Sequence, residues 1–341
     1  MSDPDPTDAP HPTDRAAAHE AVVTQRRLPV VDAARGLCLA AMAAYHTLWD
    51  LGFLRLTPEN YALTGGGRAA AHAIAGSFLL LVGVGVVLMN GAGIHWRATL
   101  QRLLRIGTGA LLVTAGTYLA FPETYVFFGI LHCIAVSSLM ALAFLRWPAW
   151  MLAPAGLAVI AAPFVVAHPL LDAPALAFLG LGQAVPRTND FVPLFPWFGP
   201  VLLGMALAKL GLPILAASRA GSWQPRGWPG RAAAFAGRHS LIVYLIHQPV
   251  LLALLSGLAA LTGPHPRAGW PEFRRDYVAI CTRTGGSAEA CRIAARCTAE
   301  ALRAEGLWSR GERSFTTPER LRAQRLSGDC YAAAEGSAPP P

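Results

Sequence analysis

Apolar and polar positions fall in long blocks along this chain rather than in short alternating periods. Seven stretches of about 20 mainly apolar residues, the length a helix needs to cross a bilayer, lie near 30–54, 69–89, 104–120, 126–145, 150–167, 194–210 and 239–261. They predict an all-α fold: a polytopic membrane helix bundle of about seven transmembrane helices. The fifth, MLAPAGLAVIAAPFVVAH, holds two prolines, which helices buried in a membrane tolerate. The run ALAFLGLG near 175–182 is too short to span and predicts a re-entrant or interfacial piece.

Polar blocks flank this core. Residues 1–28 are polar and Pro-rich with no apolar h-region, which predicts a disordered cytoplasmic leader, no cleavable signal peptide, and a first span acting as its own uncleaved signal. Residues 29–262 then form the transmembrane domain and 263–341 a cysteine-containing C-terminal extension. That extension reads as helical: PEFRRDYVAICTR, a TGGS break, then AEACRIAARCTAEALRAEGLW.

Composition sharpens the same division. The chain is 54% hydrophobic and 14% charged, against roughly 25% charged in soluble proteins. Positions 28–263 hold only 19 of those charged residues. Such apolarity excludes an ordinary nucleic-acid binder despite the net charge of +8. The basic residues instead sort by side of the membrane. Arg26, Arg27, Arg97, Arg102, Arg105, Arg146, Lys209, Arg219, Arg226, Arg231 and Arg238 fall on one side, against Arg55, Arg68 and Arg187 on the other. The positive-inside rule makes the richer side cytoplasmic. The N-terminus is then cytoplasmic, and seven spans carry the tail outside.

The cysteines agree with that sidedness. Cys38 and Cys133 fall within spans, where a small buried side chain is the plain reading. Cys281, Cys291, Cys297 and Cys330 all lie in the tail, an even set that suits two disulfides in an oxidising compartment, with three pairings open. A zinc site is the alternative, although C-x9-C-x5-C-x32-C lacks the close cysteine pairs of common zinc modules. The tail's arginines are interspersed with acids, which favours a solvated surface over a phosphate-binding one.

Ionisable residues within a span cost about 2.5–3.5 kcal/mol each at the helix centre and mark function by default. The first span, VVDAARGLCLAAMAAYHTLWDL, holds four. At about 100° per residue, Asp32, Arg35, His46 and Asp50 share one stripe about 60° wide. His46 and Asp50 stand one turn apart. An Asp at i+4 can fix the imidazole tautomer and leave the other nitrogen as a general base toward a hydroxyl or amine. Interhelical hydrogen bonding is the bland alternative. His132 in FFGILHCIAVSS and His247 in GRHSLIVYLIHQPVLL are further cavity candidates, the latter sharing a face with Ser240 and Tyr244. Arg97, Arg102 and Arg105 suffice as topology signals, yet they also suit a phosphate-bearing donor entering from the cytoplasm. No Walker loop, dinucleotide glycine fingerprint, G-x-S-x-G or H-E-x-x-H motif occurs. No metal site is expected.

These residues bring a family into view. RLPVVDAARGLCLAAMAAYHTLWDL resembles the first span of bacterial membrane proteins of the heparan-alpha-glucosaminide N-acetyltransferase catalytic-domain family. FLLLVGVGVVL followed by RLLRI, FFGILHCIAVSS, FPWFGPVLLGMAL and GRHSLIVYLIHQPVL match it in order, over roughly residues 27–257. The wider likeness extends to the acyltransferase-3 family, in which an Arg and a His ten residues further on mark the first span; Arg35 and His46 have that spacing. The resemblance implies acyl transfer across a bacterial inner (cytoplasmic) membrane, from acyl-CoA, acetyl-CoA being the expected form, to a glycan or small acceptor outside. It casts His46, with Asp50, as catalytic and Arg35, Asp32, Arg102 and Arg105 as donor-binding. His132, Tyr244 and His247 would line the substrate cavity. No tightly bound cofactor is expected, and direct transfer and an acyl-histidine intermediate both stay open. Two rivals remain. One is a proton-coupled transporter using the same stripe, disfavoured by the lack of an internal repeat; the other is an assembly factor presenting the stapled tail.

Overall fold

The computed structural model describes residues 28–91, 93–308 and 315–337. The leader expected over 1–28 lies outside the described residues except for Leu28. Helices make up the fold, with no strand among the described residues. They are α1 (Pro29–Phe53), α2 (Gly65–Asn90), α3 (Trp96–Ala120), α4 (Ile130–Ala141), α5 (Ala149–Val166), α6 (Leu194–Ala217), α7 (Gly227–Arg238), α8 (Ser240–Thr262), α9 (Trp270–Arg283), α10 (Ala288–Ala304) and α11 (Thr317–Ser337). Five of them, α2, α3, α5, α6 and α8, are long and apolar enough to cross a membrane. Their outer faces carry bare apolar side chains such as Leu119, Phe164, Ile214 and Leu261, surface that only lipid covers cheaply. This is a multi-pass membrane protein.

The described residues divide into two compact units, one of 28–44 with 69–248 and the other of 45–68 with 249–337. The boundary expected at 262/263 therefore falls inside the second unit, and α1 and α8 each contribute to both.

In the first unit, Leu79, Val86, Leu152, Val201, Leu202 and Met205 are wholly buried and anchor the core. Close backbone approach makes this packing possible. A Cβ on Gly36 would strike the Ala233 carbonyl, and one on Gly237 the Asp32 carbonyl, so α1 and α7 touch main chain to main chain. The turn from α2 into α3 is organised by buried Asn90. Its Oδ1 accepts from the His95 N–H and the Thr99 hydroxyl, both at 3.1 Å, and its Nδ2 donates to the Val86 carbonyl.

Three expectations shift. Helix α3 begins at Trp96 rather than near 104, so Arg97, Arg102 and Arg105 are helical. Helix α4 has only 12 residues, extended by a three-residue 3-10 turn, because 121–129 is held as a loop. There the Thr124 carbonyl accepts from the Asn189 N–H, and the Tyr125 carbonyl from the Thr188 hydroxyl. The run at 175–182 forms only a 3-10 turn, Ala177–Leu179, within the connection from α5 to α6.

The second unit joins the end of α1 to the tail. Helix α1 stops where Arg55 turns left-handed, at φ 58°; the Leu56 N–H then reaches the Leu51 carbonyl and the Arg55 N–H the Gly52 carbonyl, closing a Schellman motif. A left-handed non-glycine costs roughly 1–2 kcal/mol. Anchoring offsets this: Arg55 Nη2 donates to the Ala268 and Trp308 carbonyls at 3.4 Å, and its own carbonyl accepts from the His265 N–H. Helices α9, α10 and α11 pack around a small core of Ala290, Ala294 and Ala334 with Tyr277 and Tyr331. Disulfides Cys281–Cys291 and Cys297–Cys330 staple it. The four sulfurs are thus bonded in pairs rather than held as thiolate metal ligands.

Candidate active site

The first unit encloses a cavity of about 580 Å³. That volume falls in the range of small-molecule sites. Four guanidinium groups, Arg35, Arg102, Arg105 and Arg238, line it together with one carboxylate, Asp32. Each arrives from a different place: Asp32 and Arg35 from the first turns of α1, Arg102 and Arg105 from the start of α3, and Arg238 from the last residue of α7. Ser240 and Tyr244 of α8 add hydroxyls, and Met42, Leu81, Val82 and Ile134 supply apolar wall.

Within this group Arg35 Nη1 lies 3.5 Å from Asp32 Oδ1, one turn along the same helix. Its Nη2 rests against α2 where Gly85 has no side chain; a Cβ there would come within 2.6 Å of it. Arg105 Nε donates to the Gln101 carbonyl at 3.2 Å, which directs that side chain along its own helix. Arg102 and Arg238 have no ion-pair partner among the described residues. Four cations facing one carboxylate leave the cavity strongly positive, and guanidinium groups match phosphate oxygens two at a time. The arrangement is built for an anion with an apolar extension.

Four of the residues singled out as donor-binding, Asp32, Arg35, Arg102 and Arg105, are therefore brought together, and Tyr244 joins them. His132 and His247 are not in the lining. The Gly129 N–H donates to His132 Nδ1 at 3.2 Å, so Nδ1 carries no proton. Nε2–H then donates to Thr114 Oγ1 at 3.2 Å, and that hydroxyl donates on to the Val126 carbonyl at 2.7 Å. Both ring nitrogens are spent tying α3 to the start of α4. His247 Nδ1 donates to the Tyr244 carbonyl, 2.6 Å away on its own helix.

His46 and Asp50 belong to the second unit. Asp50 is wholly buried and His46 half-buried, with the Tyr45 ring edge-on to the imidazole at 5.9 Å between centroids. The Tyr45 hydroxyl donates to the Ala62 carbonyl, and Asn60 Nδ2 to the Trp49 carbonyl, so the loop after α1 is hydrogen-bonded back onto this end of the helix.

Two contributors escape sequence reasoning. Arg238 reads as a loop charge, yet lines the cavity because α7 packs its glycine face on α1. Asp190 lies in a connecting loop, and its Oδ2 accepts from the Ile130 N–H at 2.9 Å, capping α4 from 60 residues away in sequence. Burial pushes its carboxyl above the ordinary range, with the Ile130 N–H opposing. No local signal marks either one.

A family model described as "Heparan-alpha-glucosaminide N-acetyltransferase, catalytic" matches residues 27–249. Neither a curated protein nor a solved structure matches the chain.

Proposed function

Because the chain belongs to the heparan-alpha-glucosaminide N-acetyltransferase catalytic family, we propose that this membrane acetyltransferase takes its acetyl group from cytoplasmic acetyl-CoA. It passes that group to a glycan or small acceptor on the outer side of a bacterial inner membrane. The cavity lined by four arginines carries the reading. Coenzyme A has three phosphates at one end and a long, weakly polar pantetheine arm at the other. Arg35, Arg102, Arg105 and Arg238 suit the phosphates, and the Met42, Leu81, Val82 and Ile134 wall suits the arm.

His46 and Asp50 are the proposed proton-handling pair. With Asp50 holding one imidazole nitrogen, the other accepts the proton of the acceptor's amine or hydroxyl. The new bond forms at the acetyl carbon, the thioester C–S bond breaks, and the coenzyme thiolate leaves. The positive-inside pattern supports a cytoplasmic donor side, since every lining arginine belongs to the basic-rich set.

Purified protein incubated with radiolabelled acetyl-CoA and cell-envelope extracts tests the proposal. Label should move to an envelope acceptor, and His46→Ala should abolish transfer while leaving acetyl-CoA binding intact. Undiminished transfer by His46→Ala removes the pair from the chemistry. Failure of the wild-type protein to bind acetyl-CoA overturns the donor assignment.

A further inference from the structure

The second unit contains a pocket of its own, about 400 Å³, which the acetyl-transfer reading does not use. One wall is the loop after α1 and the first turn of α2, with Glu59, Asn60, Thr64 and Arg68. The other is α9, with Glu272 and Arg275. The family match ends at residue 249, so half of this pocket comes from the part of the chain peculiar to this protein.

Its charges are not all spent. Arg275 Nη1 donates to Glu59 Oε1 at 2.7 Å, fastening the two walls together. Asn60 and Thr64 are occupied in shaping the loop: Asn60 Oδ1 accepts from the Ala62 N–H, and Thr64 Oγ1 accepts from the Gly67 N–H while donating to the Tyr61 carbonyl. Arg68 and Glu272 remain. They are exposed residues on opposite walls, with no hydrogen-bonding or ion-pair partner among the described residues, each other included. Two opposite charges therefore face one pocket at more than ion-pair distance. A ligand of two opposite charges fits that pattern, and a singly charged one satisfies only half of it.

We propose that this pocket binds a zwitterion, its phosphate or carboxylate on Arg68 and its ammonium on Glu272. Two sources supply that chemistry: a soluble amino-phosphate, or the head group of an aminophospholipid. The proposal does not rest on acetyl transfer and is read without acetyl-CoA.

The full chain in nanodiscs of phosphatidylglycerol alone is titrated with O-phosphoethanolamine by calorimetry, with ethanolamine and inorganic phosphate as half-ligands. Saturable binding is expected, with either half-ligand at least tenfold weaker. Arg68→Gln and Glu272→Gln should each weaken binding at least tenfold with unchanged thermal melting, since neither side chain holds the fold. Adding phosphatidylethanolamine to the nanodiscs separates the sources. Competition with the soluble ligand assigns the site to the head group, and undisturbed titration assigns it to a soluble zwitterion. Equal affinity in wild type and both variants overturns the proposal, as does absence of saturable binding in phosphatidylglycerol nanodiscs.

Discussion

At the scale of residues, the donor cavity depends on what Gly85 lacks. Arg35 Nη2 occupies the space that a Cβ on this residue would need. The obstructing atom is the far end of a flexible side chain, so Gly85→Ala should fold, and it gains about 1 kcal/mol of helix propensity. The guanidinium must nevertheless move out of the cavity wall. The expected result is a several-fold rise in KM for acetyl-CoA with kcat little changed, since a ground-state contact is lost rather than a transition-state one. Steady-state kinetics of the variant beside Arg35→Gln check it; equal KM in wild type and Gly85→Ala removes Arg35 from donor binding. Asp190 offers a prediction of opposite character. Its carboxyl binds a proton more tightly folded than unfolded, because burial outweighs the Ile130 N–H. Its contribution to stability is then best below the unfolded carboxylate range and is lost as pH rises through the higher folded value. Asp190→Asn keeps an oxygen for Ile130 without the charge. The variant should match wild type near pH 4 and melt higher at pH 7, whereas Asp190→Ala, which loses the cap, should melt lower at both.

Helices are where the sequence was most legible, and the reasons for its lapses are physical. In a bilayer every backbone group must be satisfied within its own segment, so the blocks at 150–167 and 239–261 correspond closely to α5 and α8. Helix α4 was overestimated because apolarity alone cannot reveal that 121–129 spends its carbonyls on residues 188–192. Helix α7 was missed because GWPGRAAAFAGR is rich in small residues and carries no apolar stripe of spanning length. Its smallness is its use. A Cβ at Gly36 or Gly237 collides with main chain, which cannot step aside as a side-chain tip can. Gly36→Ala or Gly237→Ala should therefore destabilise by about 1–3 kcal/mol, as overpacked sites do, and should also weaken acetyl-CoA binding by displacing Arg238. Detergent melting curves alongside donor titration separate this from Gly85→Ala, which loses affinity alone. The candidate site was legible in the same uneven way. Asp32 and Arg35 stood out as charges inside an apolar block, while His132 looked equally exceptional and turns out to spend both nitrogens locally. In the tail, the alanine core is small, so the disulfides carry much of its stability. With separations of 33 and 10 residues, loop closure assigns about 4 kcal/mol to Cys297–Cys330 and about 3 kcal/mol to Cys281–Cys291. Cys330→Ser should accordingly speed amide exchange in α10 and α11 more than Cys281→Ser does in α9 and α10.

For the whole molecule, the number of crossings decides which compartment the tail meets. Five helices qualify by length and apolarity; α1 and α4 decide the parity. Helix α1 has 25 residues, ample for a crossing, but carries Asp32, Arg35, His46 and Asp50. Helix α4 and its 3-10 turn rise only about 24 Å, against a hydrocarbon core of about 30 Å. If both cross, the count is odd and the two ends of the chain lie on opposite sides. If just one does, they share a side. Two independent features favour the odd count. Basic residues cluster in alternate connections only when both helices are counted as spans, and the tail holds two disulfides, which persist in an oxidising compartment and not in a cytosol. Lys209 indicates how the short helix is accommodated: its ammonium donates to the Leu145 carbonyl at 2.7 Å, satisfying backbone at the end where the helical rise runs out. The prediction is that the tail faces the outside. In bacterial cells expressing the full chain, a membrane-impermeant maleimide applied after a brief impermeant reductant should label the tail cysteines, and without the reductant it should not. Labelling only after the inner membrane is opened would place the tail in the cytosol. It would reduce the crossings to an even number and single out α4, the short helix, as the segment that does not traverse.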